Sequence, residues 1–138
     1  MKVLIDTNFV LDILLHREPW YFNAAFIFGF TKKNIIQSFV SATTITDIFY
    51  LSKKDLGKKD AKESIKKLFQ IFYPAAVTDK NIYKALDLDW DDFEGSVQYA
   101  VGESFSVDYI ITRNTKDFSN SGIPAVTPEQ FINIIADN

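Results

Sequence analysis

Met-Lys-Val-Leu-Ile-Asp-Thr-Asn-Phe, at residues 1–9, is the stretch that decides the fold. Residues 3–5 form a short, unbroken apolar run, which is typical of a fully buried parallel strand. Asp6, Thr7 and Asn8 then provide turn and helix N-cap chemistry, and apolar residues recur at helical spacing from Phe9 onward. Asp6 is therefore predicted at the carboxyl end of a strand, the edge of an open α/β sheet where ligands bind. A plain capping role for Asp6 is the alternative interpretation.

The rest of the chain alternates predicted strands with predicted helices. Apolar and β-branched runs predict strands near residues 35–42, 75–77, 107–112 and 122–126, with amphipathic or capped helical segments between them. Pro74 is expected to stop the helix that begins at Ala61, and Thr127 followed by Pro128 is expected to start the last helix. This alternation implies a parallel sheet with helices on both faces. Because no linker interrupts the pattern, we predict a single α/β domain spanning residues 1–138.

Composition restricts the classes of function. Fifteen Lys and Arg against eighteen Asp and Glu give a net charge of −3, so nucleic-acid contact is expected to be local or metal-assisted. The absence of Cys excludes disulfides and thiolate metal sites and fits a reducing cytoplasm. We expect an unexported cytoplasmic protein without membrane segments, because neither a signal-like N-terminus nor a long apolar stretch is present. The thirteen Phe, six Tyr and two Trp are expected in the core, or partly in an oligomer interface.

Several polar side chains are predicted to share one edge of the sheet. A helix that directly follows a parallel strand begins at the carboxyl edge of the sheet, and so does a helix that directly precedes the next strand. By this rule Asp108, which opens its strand, belongs at the opposite edge. Glu94 could face either way. Asp12 lies further into its helix and is predicted to be solvated or paired. The residues predicted at the carboxyl edge are Asp6, Asp47, Asp91, Asp92, Asn114 and Asp117.

A divalent cation would relieve the repulsion within such a group of acids. Carboxylates a few ångströms apart raise one another's pKa, and a cation held between them removes this cost. Oxygen-only ligands, with no Cys and with the single His16 predicted at the surface, favour Mg²⁺ or Mn²⁺ over Zn²⁺. Ions of this kind activate water and clamp a phosphate. The residues therefore indicate metal-dependent phosphodiester hydrolysis.

Four segments resemble the PIN domain of the bacterial and archaeal toxin type. They are Leu-Ile-Asp-Thr-Asn at 4–8, Val-Ser-Ala-Thr-Thr-Ile-Thr-Asp-Ile at 40–48, Asp-Phe-Glu at 92–94 and Asp-Tyr-Ile-Ile-Thr-Arg-Asn-Thr-Lys-Asp-Phe at 108–118. The resemblance covers nearly the whole chain. It implies a three-layer α/β/α sandwich with a five-stranded parallel sheet, and Mg²⁺- or Mn²⁺-dependent cleavage of single-stranded RNA. It also implies a VapC-like toxin of a type II toxin–antitoxin pair, usually a homodimer that a cognate antitoxin silences.

The resemblance assigns roles to individual positions. Asp6, Asp47 and Asp117 match the first, second and fourth acids of the family. The predicted catalytic and metal-binding set is Asp6, Asp47, Asp92 and Asp117, with supporting polar residues Thr7, Asn8, Thr112 and Asn114, and with Arg113 and Lys116 contacting RNA phosphates.

The third acid departs from the family pattern. Where the family has Asp-Phe-Glu-Asp, this chain has Asp92-Phe93-Glu94-Gly95, so a carboxylate is missing at Gly95. Asp92 lies one turn earlier on the same helix face and is predicted to replace it, directly or through water. If the missing ligand limits catalysis, Gly95→Asp should raise activity. The alternative is a catalytically impaired PIN-like module that acts by binding protein or RNA.

Overall fold

The N-terminal strand lies at the centre of the sheet. The computed structural model describes all residues, 1–138, and its strands are β1 (Lys2–Ile5), β2 (Gln37–Ser41), β3 (Tyr73–Ala75), β4 (Tyr109–Ile111) and β5 (Ala125–Val126). The strand order is β3-β2-β1-β4-β5, and every neighbouring pair is parallel. The predicted five-stranded parallel sheet is therefore confirmed.

Seven helices connect the strands. They are α1 (Thr7–Leu14), α2 (Tyr21–Lys32), α3 (Ala42–Leu56), α4 (Lys58–Leu68), α5 (Asp79–Asp87), α6 (Phe93–Ser104) and α7 (Pro128–Ala136). Side-chain caps fix where three of the helices begin. Asp6 caps α1, and Thr78 and Thr127 form capping boxes at the starts of α5 and α7. A short 3₁₀ turn, Thr115–Phe118, follows β4. None of the helices is long and apolar enough to cross a membrane.

Alternation of side chains along the strands builds two cores, one on each face of the sheet. Val3 and Ile5 of β1 point into a core closed by α1, α2, α3, α4 and α7, whereas Leu4 points into a core closed by α5 and α6. All three side chains are almost completely buried. The predicted three-layer α/β/α sandwich is thus confirmed.

The sheet reverses its winding direction between β1 and β4. From β1 the chain adds β2 and β3 on one side and then β4 and β5 on the other, which makes the β1/β4 boundary a topological switch point. The register pairs Ile5 with Ile111, so the next residues, Asp6 and Thr112, leave the two strands side by side. This places the first predicted acid at the position where open α/β sheets form their binding crevice.

One prediction about local structure is wrong. Pro74 lies inside β3 rather than after a helix, and α4 ends earlier, at Leu68. Proline is accepted there because β3 is an edge strand with a neighbour on one side only. The sequence left the core and an oligomer interface open for the aromatic residues, and Phe22 and Phe26 of α2 lie outside the core, at 71% and 59% exposed.

Candidate active site

Asp6 is held by three hydrogen bonds at the switch point. Its Oδ1 accepts from the backbone N–H of Thr7 at 2.7 Å and from Nε2 of Gln98 at 3.1 Å. Its Oδ2 accepts from the hydroxyl of Thr112 at 2.7 Å. The bond from Thr7 is the helix cap and the other two are tertiary, so capping is only part of what Asp6 does. Both oxygens are fixed while the residue remains half-buried, which makes Asp6 an oriented carboxylate open to a ligand.

Thr112 directs its hydroxyl hydrogen toward Asp6. The residue is fully buried at the end of β4, and its oxygen accepts the backbone N–H of Asn114 at 3.0 Å. Because an ionised carboxylate can only accept, the Thr112 hydroxyl is the donor in its bond to Asp6. Asn114 therefore supports the site through its backbone, whereas the side chain of Asn8 makes none of the hydrogen bonds around Asp6.

Gln98 is a supporting residue that the sequence analysis missed. Its side chain is 2% exposed, and it donates to Thr44 Oγ1 at 3.2 Å as well as to Asp6. It thereby ties α6 to the start of α3 and to the end of β1. The sequence feature that could have identified Gln98 is its position as the one amide side chain in the apolar stretch from Val97 to Val101. A buried amide needs hydrogen-bond partners, so such a residue is expected to contact other polar groups.

Glu94 faces the site, which resolves the orientation that the sequence left open. Its Oε1 accepts from the hydroxyl of Thr7 at 2.8 Å, although the two residues are 87 positions apart. Partial burial raises the pKa of Glu94, the hydrogen bond from Thr7 opposes this rise, and repulsion from Asp6, Asp47 and Asp92 adds to it. Glu94 is therefore an electrostatic neighbour of three of the four predicted acids.

Asp117 and Asp92 line one open depression. Burial raises the pKa of Asp117, and repulsion from Asp92 and then Asp6 raises it further. Asp117 belongs to the 3₁₀ turn after β4, and Asp92 lies at the N-cap position of α6. Glu94 therefore responds to the charges of Asp6, Asp47 and Asp92, and Asp117 responds to those of Asp92 and Asp6. Asp108 lies at the opposite edge, where its Oδ2 accepts the backbone N–H of Lys2 at 2.9 Å.

Asp92 lies over Gly95. A Cβ added to Gly95 would be 3.1 Å from Oδ2 of Asp92, closer than ordinary van der Waals contact. The Asp92 carboxylate therefore borders the space where a side chain at position 95 would begin. Replacement of the missing third acid by Asp92 stays a prediction.

Arg113 has partners inside the protein. Its Nε lies 3.0 Å from Oδ2 of Asp12 and its terminal nitrogen donates to Oδ1 at 3.2 Å, while the guanidinium stacks on Trp20 at 3.7 Å from the ring centre. Asp12 is 1% exposed and paired, one of the two environments predicted for it.

Lys116 is exposed and borders two open depressions, of about 450 and 520 Å³, that Asp117 also borders. Lys116 is thus better placed than Arg113 to meet a phosphate, and RNA contact by either residue stays a prediction.

The donor set suits a hard divalent cation in its chemistry. The acids offer oxygen ligands only, as Mg²⁺ and Mn²⁺ prefer. As the side chains stand, however, no three acids are grouped closely enough to hold one ion. Asp47, Asp92 and Asp117 lie on the outer side of the site with exposed or half-exposed side chains, which leaves them free to change rotamer.

Comparison with known proteins identifies the family. The PIN domain family matches residues 2–116. VapBC2 from Rickettsia felis bound to a promoter DNA fragment is similar, with a TM-score of 0.68 and 12% identity over 92% of this chain and 98% of the other. A toxin–antitoxin complex from Klebsiella pneumoniae has a TM-score of 0.64 and 22% identity over 91% and 97%. The Mycobacterium tuberculosis toxin VapC20, described as cleaving the sarcin–ricin loop, has a TM-score of 0.68 and 15% identity over 88% and 95%.

At these identities the structural likenesses establish the fold. No curated protein matches the sequence. The family match covers most of the chain and includes β1, β4 and the loop that carries Thr112 and Asn114. The chain belongs to the PIN domain family.

Proposed function

We propose that this PIN-domain protein is a Mg²⁺- or Mn²⁺-dependent endoribonuclease that cleaves single-stranded RNA in the cytoplasm. The observation that carries the proposal is the position of Asp6. Its two oxygens are fixed by Thr112, Gln98 and the start of α1, at the switch point of the sheet and among the other acids. An oriented carboxylate at the ligand-binding edge, with further acids nearby, suits phosphodiester chemistry that depends on a cation.

In this proposal each residue of the site has a defined task. Asp6, Asp47, Asp92 and Asp117 hold the metal ion, which when bound supplies a water of lowered pKa and a Lewis acid for the phosphate. Thr112 and Gln98 keep Asp6 in one rotamer, so less side-chain entropy is lost on binding. Lys116, between the two depressions, attracts the RNA backbone by charge.

We also propose that the protein is the toxin of a toxin–antitoxin pair and forms a homodimer. Support for a protein partner comes from the structural neighbours described as toxin–antitoxin complexes. It also comes from large exposed apolar side chains, since Phe22 and Phe26 of α2 and Tyr83 and Leu86 of α5 are each at least 59% exposed. Exposed aromatic groups of this size are enriched in protein interfaces.

Removal of divalent metal is expected to abolish cleavage. The purified protein is incubated with a fluorescent single-stranded RNA in excess EDTA, and Mn²⁺ or Mg²⁺ is then titrated above the chelator. Cleavage should be absent in EDTA and return with saturating metal, because the acids alone supply no activated water. Cleavage that persists in EDTA would contradict the proposal, and metal binding without cleavage would favour the binding module that lacks turnover.

A further inference from the structure

A cavity of about 230 Å³ lies at the carboxyl edge of the sheet, between the start of α2, the residue after β4 and the start of α7. Pockets that hold drug-sized ligands measure about 300–1,000 Å³, so this one suits a single small group. We call it the Trp20 cavity, and its lining residues are Trp20, Asn23, Arg113, Thr127, Pro128 and Glu129.

The Trp20 cavity adjoins the candidate active site. Arg113 directly follows Thr112, the residue whose hydroxyl donates to Asp6. Arg113 also lines the depression of about 520 Å³ that Lys116 and Asp117 border, so it belongs to the walls of both the depression and the cavity. An RNA strand that crosses the depression can therefore place a neighbouring nucleotide in the Trp20 cavity.

One wall of the cavity is a supported aromatic surface. Trp20 is 40% exposed, and the guanidinium of Arg113 lies 3.7 Å from its ring centre. The carboxylate of Asp12, which is buried, holds Arg113 in turn, with 3.0 Å between Oδ2 and Nε. Trp20 is thus held from one side while part of its surface stays open. Proteins that bind single-stranded RNA stack its bases on aromatic side chains presented in this way.

The charges in the cavity favour a base over a phosphate. The positive charge of Arg113 is already paired with Asp12, whereas Glu129 takes part in none of the three ion pairs of the protein and adds negative charge. That carboxylate repels a phosphate, but it can accept an N–H of an uncharged base. Asn23 provides a further donor and acceptor in the same lining.

We infer that the Trp20 cavity is a subsite for one nucleobase of a single-stranded RNA, which lies against Trp20 and donates an N–H to Glu129. The inference rests on the proposed function, because it concerns the RNA that the protein would cleave. Lys116 attracts the RNA backbone without regard to sequence, whereas a base in this cavity determines which nucleotide lies beside Asp6.

RNA binding without cleavage tests the inference. We propose fluorescence anisotropy of a labelled single-stranded RNA with the full chain in excess EDTA, so that affinity is measured apart from any metal-dependent reaction. Trp20→Ala is expected to weaken binding at least about fivefold, and Trp20→Phe, which keeps an aromatic ring, should restore most of the affinity. The matched control is Tyr50→Ala on α3, which should bind like the wild type, because Tyr50 is 65% exposed and lies outside the cavity.

Abasic nucleotides distinguish a base contact from an effect on the fold. Oligonucleotides that carry one abasic nucleotide, at successive positions, are titrated with the wild type and with Trp20→Ala. At one position the missing base should weaken binding to the wild type about fivefold and weaken binding to Trp20→Ala no further. Equal losses in the two proteins at every position would overturn the inference, since Trp20 would then act through the fold.

Glu129→Gln gives a result whose sign decides between a base and a phosphate. Loss of the negative charge should tighten RNA binding if the cavity faces a phosphate. It should weaken binding about threefold if the carboxylate accepts an N–H of a base, because a charged acceptor makes the stronger hydrogen bond. Tighter binding by Glu129→Gln would therefore overturn the inference.

The outcomes also separate the subsite from the proposed function. If the wild type binds RNA and Trp20→Ala binds it equally well, the subsite is overturned and the proposed function stands. An altered mass of Trp20→Ala in light scattering, with unchanged RNA binding, would assign Trp20 to a protein interface and likewise overturn the subsite. If the wild type binds RNA through Trp20 but cleaves none with Mn²⁺, the subsite stands and the nuclease proposal fails. If the wild type binds no single-stranded RNA, both fail.

Discussion

Replacing Asp6 with Asn is expected to lower the rate of RNA cleavage at least about a hundredfold, which corresponds to about 2.7 kcal/mol of transition-state stabilisation. Asn has the same shape, and its Oδ1 can still accept from the N–H of Thr7 and from Gln98. The hydroxyl of Thr112 can rotate to accept the new amide. The fold should therefore survive, and the loss reports the missing negative charge at the metal site. The measurement is initial cleavage rate at saturating Mn²⁺.

Asp108→Asn is the matched control for this substitution. It makes the same chemical change at the opposite edge of the sheet, where the Asp108 carboxylate accepts one hydrogen bond, from the backbone N–H of Lys2. We expect cleavage within about a factor of two of the wild type. If Asp6→Asn retained full activity, the cleavage would come from a contaminating nuclease or from another site, and the assignment of Asp6 would be wrong.

Replacing Arg113 with Met is expected to lower the free energy of unfolding by about 3 kcal/mol. Arg113 is the partner of Asp12, whose side chain is 1% exposed, and both oxygens of that carboxylate face the guanidinium. Burial raises the pKa of Asp12, and the charge and hydrogen bond of Arg113 oppose this rise. Without Arg113 the protein must either bury an unpaired charge or protonate Asp12. Urea unfolding monitored by circular dichroism measures the change.

Two further variants separate stability from RNA binding. Asp12→Asn combined with Arg113→Met should recover part of the lost stability, since no unpaired charge remains in the core.

Lys116→Met, at an exposed position, should leave the urea midpoint unchanged and weaken RNA binding mainly at low salt. If Arg113→Met were as stable as the wild type but bound RNA poorly, Arg113 would be an RNA-contacting residue as the sequence suggested.

The central part of the fold could be predicted because its signals are local. The apolar run before Asp6 and the strand before Thr112 show their burial directly in the sequence, and both strands occur at the centre of the sheet. The carboxyl-edge rule also predicted the position of Asp108 at the opposite edge, where Asp108 accepts the backbone N–H of Lys2 at the start of β1. These predictions need only strand direction, and strand direction follows from the alternation of helices and strands.

Other features depend on contacts between distant segments and could not be predicted. Whether Pro74 stops a helix or occupies an edge strand depends on its pairing with Val40 of β2. Glu94 turns toward the site because of Thr7, 87 residues earlier, and Arg113 is drawn inward by Asp12, 101 residues earlier. An exposed, RNA-contacting arginine and a partly buried, ion-paired one look the same in sequence, so only the structure distinguishes them.

The most direct test of the account is the location of a bound metal ion. Crystals grown or soaked in MnCl₂ can be measured at the manganese absorption edge, where an anomalous difference map locates manganese. The account predicts a peak at the carboxyl edge of β1, with oxygen atoms of Asp6 and of at least two further acids among Asp47, Asp92, Glu94 and Asp117 about 2.1–2.3 Å away. A fully occupied peak elsewhere, or no peak at this edge at saturating Mn²⁺, would contradict it.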